Sequence, residues 1–158
     1  MSAKPIRVGV VSDTHGLVRP QLMDALRGCD VIVHAGDIGG VEVLEQLRTL
    51  APLHAVRGNN DEGAWAETIP QTEVVTVGQR HFYLLHDVAQ LDLDPEAAEM
   101  SAVISGHSHR PKAETRNGVL FLNPGSAGPR RFTLPISVAE ILVYEGRMEH
   151  RHIALEGR

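Results

Sequence analysis

The sequence has a single cysteine, no apolar run long enough for a membrane span or a secretion signal, and no excess of positive charge. Each lack excludes something. Cys29 alone cannot form an internal disulfide, and no apolar leader follows Met1-Ser2-Ala3-Lys4, so the cytoplasm is the expected location. No membrane contact is expected. Fifteen Lys and Arg stand against twenty Asp and Glu, so no general field attracts nucleic acid, and any anionic ligand must be drawn locally. Linkers, repeats and low-complexity segments are also missing. What remains is an ordinary globular composition, 42% hydrophobic and 22% charged, in 158 residues. That length suits one domain, residues 1–158, able to bury a sizeable core.

Residues 6–11 are too continuously apolar for a strand with one wet face, so both faces are expected to be covered. The polar break Ser12-Asp13-Thr14-His15-Gly16 follows, and Pro20 opens a helix that Gly28 stops. The unit then repeats. Residues 31–35 read as a strand, 36–40 as a loop, and 41–50 as a helix with Val43, Leu44, Leu47 and Leu50 on one face. Residues 53–57 form a third strand, closed by Gly58-Asn59-Asn60-Asp61. Strands alternating with helices predict parallel pairing, with ligands at the strands' carboxyl ends.

From residue 72 the pattern changes to hairpins. Strands at 73–77 and 81–85 turn at Gly78-Gln79, strands at 112–115 and 119–122 at Asn117-Gly118, and strands at 136–144 and 147–155 at Glu145-Gly146. A short helix at 95–100 precedes a strand at 102–105. The predicted class is α/β, with sheets packed together and flanked by helices.

Chemistry collects where the strands end. Gly106-His107-Ser108-His109 delivers two imidazoles, Asp13 and His15 follow the first strand, Asp37 the second, Asn59 the third, and His86 closes the strand at 81–85. These seven oxygen and nitrogen donors exceed the four that a zinc ion usually takes, and suit two metals sharing a carboxylate. Asp37 is the expected bridge, because Gly36, Gly39 and Gly40 let backbone approach it closely. Two divalent ions outweigh two carboxylates, so the pocket is net positive and attracts phosphate. Two-metal sites with ions roughly 3.5 to 4 Å apart typically run in-line displacement at phosphorus. Mixed imidazole and carboxylate ligands favour manganese, the first choice here, or iron, zinc, nickel or cobalt, over magnesium.

Asp13-Thr14-His15, Gly36-Asp37, Gly58-Asn59-Asn60-Asp61, His86 and Gly106-His107-Ser108-His109, in this order, resemble the motifs of the calcineurin-like metallophosphoesterases over residues 8–126. The short chain and Asn123-Pro124-Gly125-Ser126 are similar to the compact YfcE-like phosphodiesterases among them. The resemblance implies a four-layer fold, a β-sandwich of two mixed sheets with helices outside. It implies that Asp13, His15 and His109 hold one metal, that Asn59, His86 and His107 hold the other, and that Asp37 bridges them. A metal-bound hydroxide would attack phosphorus. Asp37, Asn59, Asn60 and Asp61 are thereby assigned to the reaction, with two divalent transition-metal ions as cofactors and a small phosphate ester, more readily a diester than a monoester, as substrate. Self-association is left open. The rival readings are a phosphomonoesterase, a non-catalytic metal-binding scaffold of the same fold, and an amidohydrolase. An amidohydrolase would be expected to carry a dual-histidine motif where Asp13-Thr14-His15 stands.

Two positions depart from the family pattern. The family often has histidine where Asn60 stands, as a general acid for the leaving alkoxide, and an amide cannot donate a proton with a useful pKa. Proton transfer of this kind is worth roughly 100- to 10,000-fold, so a preference for good leaving groups such as aryl esters is expected. Asp87 stands where glycine is common. Facing water is its first reading; hydrogen bonding to a ligand imidazole and binding metal are the alternatives. Asp61 is either a turn-former or a residue that orients a ligand or substrate. His34 reads as packed in the core or behind the ligands, Cys29 as a buried thiol, and His54, His81, His150 and His152 as structural or exposed. Arg57 is a candidate phosphate contact, Arg130-Arg131 are expected in solvent, and Asn123, Gly125 and Ser126 are candidates for closing the pocket.

Overall fold

A computed structural model describes residues 4–155. Strands β1 (Ile6–Val11), β2 (Val31–His34) and β3 (Leu53–Ala55) pair in parallel, with helices α1 (Pro20–Leu26) and α2 (Val41–Arg48) in their crossovers. Strands β9 (Ser137–Tyr144) and β10 (Arg147–Ala154) return from the far end of the chain and extend this sheet, antiparallel, in the order β10-β9-β1-β2-β3. The second sheet is built from β4 (Thr72–Val77), β5 (Arg80–Leu85), β6 (Ala102–Ile104), β7 (Lys112–Arg116) and β8 (Val119–Asn123), in the order β4-β5-β6-β8-β7. Its central strands β5, β6 and β8 are parallel and its two edges antiparallel. Both sheets are therefore mixed, as expected.

Alternation along the strands explains the layers. Val8, Val10 and Val33 of the first sheet meet Phe82, Leu84, Ala102 and Ile104 of the second in one buried core. Val11 and Ile32 point the other way, against Leu22, Leu26, Val43, Leu44 and Leu47 of α1 and α2. The continuous apolar run of β1 is thus covered on both faces. The outer face of the second sheet, with Tyr83, Leu85 and Val103, is covered by Leu91, Leu93 and Met100.

That fourth layer corrects one expectation. Residues 95–100 form turns instead of a helix, closed by hydrogen bonds from Ala98 to Asp94 and from Met100 to Pro95. Glu99 takes a positive φ of 62°, and the Asp94 carboxylate accepts from the Glu96 and Ala97 N–H groups. A single turn locked by its own side chain has no propagation to offset nucleation. A four-residue helix, α3 (Ala64–Glu67), and a 3₁₀ turn (Val88–Gln90) are present beyond those expected. Among the described residues no helix is long and apolar enough to cross a membrane.

Candidate metal centre

Five parallel strands, β1, β2 and β3 of one sheet and β5 and β6 of the other, end at the same edge of the sandwich, and their following loops are tied together. Asp13 N–H donates to Gly36 O at 2.9 Å, His15 N–H to Asp37 O at 3.0 Å, and Gly106 N–H to His86 O at 2.9 Å. The convergence forces unusual backbone. Asp13, His15, Asp37, His107 and His109 all lie at positive φ, between 48° and 73°, a region that costs a non-glycine residue energy and persists only where the surroundings determine it. Close approach also requires glycine: a Cβ at Gly58 would collide with the Asp37 carboxylate, and one at Gly106 with Ser12 Oγ and Asp13 Oδ2.

Asp13 is wholly buried. Its Oδ2 accepts from the Ser12 hydroxyl at 2.7 Å and from His107 N–H at 3.1 Å. Its Oδ1 accepts nothing, although three imidazole nitrogens surround it: His109 Nε2 at 3.3 Å, His15 Nε2 at 3.7 Å and His86 Nε2 at 3.9 Å. Asp37 Oδ2 lies 3.3 Å from His86 Nε2 and 3.8 Å from His15 Nε2. Two clusters able to hold a cation result, Asp13-His15-His109 and Asp13-Asp37-His86. Asp13 belongs to both.

The electrostatics follow from this crowding. Burial opposes the charge on Asp13, but the His109 and His15 imidazoles and the Ser12 hydroxyl hold its carboxyl well below the usual carboxylate range. Burial likewise opposes charge on Asp37, where His86 and the Asn60 N–H prevail and lower it. Burial pushes the His86 pKa down, yet Asp37 and Asp13 raise it overall.

Among the described residues, the buried side-chain atoms without a hydrogen-bond partner are Asp13 Oδ1, His15 Nε2, His86 Nε2 and His109 Nδ1. Native structures satisfy nearly all such atoms. Asp13 Oδ1, with the Nε2 atoms of His109, His15 and His86 within 3.9 Å of it, is a donor set suited to a divalent transition metal.

Residues 6–145 match the calcineurin-like phosphoesterase superfamily domain. The chain belongs to that superfamily. A probable metallophosphoesterase of Methanothermobacter thermautotrophicus is 33% identical, with 81% of each chain covered. A solved Streptococcus pneumoniae protein described as a predicted phosphoesterase is 25% identical, with a TM-score of 0.75 and 97% and 91% of the two chains covered. Vps29 of Entamoeba histolytica, solved in complex with zinc, is also 25% identical, with a TM-score of 0.70 over 95% of this chain and 99% of that one.

Within this calcineurin-like domain the predicted ligands are not equally placed. Asp13, Asp37, His86 and His109 are buried and His15 partly so, whereas Asn59 and His107 are exposed at the rim. Both rim residues line a cavity of about 660 Å³ together with Arg57, His86, Asp87 and Asp92. His107 still packs edge-on against His86, with ring centroids 5.2 Å apart. Asn60 donates its backbone N–H and its side-chain amide to the two Asp37 oxygens, at 2.9 and 3.0 Å.

Asp61 is buried, and its carboxylate accepts from the N–H groups of Ile38, Gly39 and Gly58 at 2.9 to 3.1 Å. It clasps the Asp37 loop to the Asn59 loop from behind the cluster. Asp87 does more than face water: it caps the 3₁₀ turn by accepting from Ala89 N–H at 3.0 Å and lies 3.8 Å from His107 Nε2.

Of the residues that support the cluster, His34, Asn123 and Ser126 were candidates from the sequence, whereas Ser12, Thr14 and Arg19 were not singled out. Thr14, between Asp13 and His15, shares a 3.0 Å hydrogen bond with His34 Nε2 and donates to Ile38 O at 2.7 Å, while Gly36 N–H donates to His34 Nδ1 at 3.1 Å. His34 is therefore neutral with its proton on Nε2, and burial pushes its pKa down to about 4. It is buried in the core behind the Asp13 and Asp37 loops. Asn123 donates to Gly106 O at 2.9 Å, Ser126 to Asp13 O at 3.0 Å, and Arg19 to Gly128 O at 3.0 Å. The available signal was position alone: Ser12 and Thr14 flank Asp13, and Asn123 and Ser126 end a strand at the same edge.

Proposed function

We propose that this protein is a two-metal phosphodiesterase with a preference for good leaving groups. The observation that carries the proposal is the buried, partnerless Asp13 Oδ1 with the Nε2 atoms of His109, His15 and His86 at 3.3 to 3.9 Å from it at the strand ends. Asp13, His15 and His109 hold one ion, and His86, Asn59 and His107 hold the other. Asp37 is the bridge, a role supported by the approach of its Oδ2 to one histidine of each group. When bound, two divalent ions, manganese first, supply Lewis acidity toward the phosphate and lower the pKa of water. The relatives' description as metallophosphoesterases agrees with this reading.

The chain's own residues set the selectivity. Asp87 and Asp92 in the larger cavity disfavour the second charge of a monoester. Arg57 lines the same cavity and is assigned to the phosphate. Asn60 sits beside Asp37 and donates a hydrogen bond to it, but its amide cannot release a proton at a useful pKa. Departure of a poor leaving group then depends on water or on the substrate. The location assigned is the cytoplasm.

The test is hydrolysis of bis(p-nitrophenyl) phosphate, p-nitrophenyl phosphate and an alkyl phosphodiester after loading separately with manganese, nickel, cobalt, iron and zinc. The aryl diester is expected to react fastest. No hydrolysis of any ester with any metal would leave the metal-binding scaffold as the reading.

A further inference from the structure

A second cavity, of about 310 Å³, shares His107 and Asp87 with the larger one and extends past Arg110, Lys112 and Arg116. Residues 112, 114 and 116 alternate along β7 and therefore share a face. Glu114 on that face is already engaged: Arg116 donates to it twice, at 3.0 and 3.1 Å, and Lys112 Nζ is 3.9 Å away. Arg116 is further fixed by the Phe121 ring, 4.6 Å from its guanidinium. Arg110 lines the cavity with no partner for its guanidinium among the described residues. Asp87 remains as the opposing carboxylate, and it is turned to the Ala89 N–H. The balance is cationic, whereas the larger cavity sets Asp87 and Asp92 against Arg57 alone.

We propose that the β7 cavity binds a second phosphate, carried by the substrate beyond the one that is hydrolysed. The two cavities then sort the substrate's arms by charge: the neutral arm lies toward Asp92 and the anionic arm toward Arg110 and Lys112. The substrate class is a phosphate ester bearing a further phosphate on one of its alcohols. This rests on the phosphoesterase reading of the metal centre.

The test is equilibrium binding to the manganese-loaded protein, comparing adenosine 3′,5′-bisphosphate with adenosine 5′-monophosphate at low salt. The bisphosphate is expected to bind about fivefold more tightly, from two partly exposed charge contacts, and the ratio is expected to shrink as salt is raised. The double variant R110Q/K112Q reduces the ratio to less than about twofold. The variant R147Q retains the full ratio, since Arg147 stacks on Tyr144 at 3.9 Å and does not line the cavity. Equal affinities in the unsubstituted protein, a ratio that survives R110Q/K112Q, or binding of neither nucleotide overturns the proposal. Hydrolysis of aryl diesters without any bisphosphate preference sinks this inference alone. A bisphosphate preference without turnover sinks the catalytic reading and keeps the cavity.

Discussion

His86 donates its Nδ1–H to the carbonyl oxygen of Ala35 at 2.8 Å, across 51 residues of sequence and between the two sheets. A carbonyl can only accept, so the bond fixes both the ring orientation and the tautomer, and it turns Nε2 toward Asp37. This is how proteins commonly prepare a histidine for metal. In the metal-free protein the same Nε2 is the place for a second proton, because Asp37 and Asp13 outweigh burial and raise the His86 pKa.

Metal uptake is therefore expected to release protons. A ligand imidazole must be neutral, so the His86 proton competes with the ion, and affinity falls as pH drops through the raised pKa. Calorimetry of manganese binding in buffers of different ionisation enthalpy measures the release directly. The released fraction should be smaller in His86→Asn, and an unchanged fraction would contradict the role given to His86.

His34 makes stability depend on acid. Its folded pKa of about 4 lies below the ordinary histidine value of 6.5, so the unfolded chain binds the extra proton and stability declines as pH falls from about 6.5 toward 4. Between pH 7 and pH 5 the loss attributable to this residue is about 2 kcal/mol. Urea unfolding at the two pH values should show that much less decline in His34→Gln than in the unsubstituted protein.

Asp61→Ala is expected to cost about 3 kcal/mol, because three backbone N–H groups lose a charged acceptor in a buried place. The Asn59 and Asp37 loops should separate as well. Thermal unfolding measures the first effect, and metal content per chain measures the second. A variant with a lowered melting temperature but two fully retained metals would limit Asp61 to stability.

Asn60→His tests the account of leaving-group preference. The side chain already reaches Asp37 Oδ2 at 3.0 Å, so an imidazole there is placed to protonate a departing alkoxide. Alkyl diester hydrolysis should rise relative to aryl by roughly 100-fold, the lower end for general acid catalysis. A constant ratio of the two rates would be fatal to that account.

The pair His107 and His109 should separate in metal analysis. His109→Ala empties the buried cluster with Asp13 and His15, whereas His107→Ala affects the rim site near Asn59. Elemental analysis and turnover on an aryl diester report the two losses, and retention of two metals and full activity in both variants would show that the pair has been misassigned.

Much of this protein is determined locally. The apolar runs of β1, β2 and β6, the stop at Gly28 and the Asn117-Gly118 turn each act through neighbouring residues, so the strands, the parallel units and the polar loops at their ends are legible in sequence. The motif order around Asp13, Asp37, Asn59, His86 and His107-Ser108-His109 marked the candidate ligands for the same reason: each follows its own strand. Residues 95–100 were misread because a helical composition cannot report that the Asp94 side chain and the left-handed Glu99 close a single turn. The remaining decisions needed contacts between distant segments. Asp61 became a clasp for the Asp37 loop, Ala35 chose the tautomer of His86, His34 locked Thr14, and Asp13, expected at one metal, was placed between both clusters. A hydrogen bond spanning 20 to 51 positions leaves no periodicity in the chain. It exists only when the fold brings the strand ends together, within one sheet for Thr14 and His34 and between the two for His86 and Ala35.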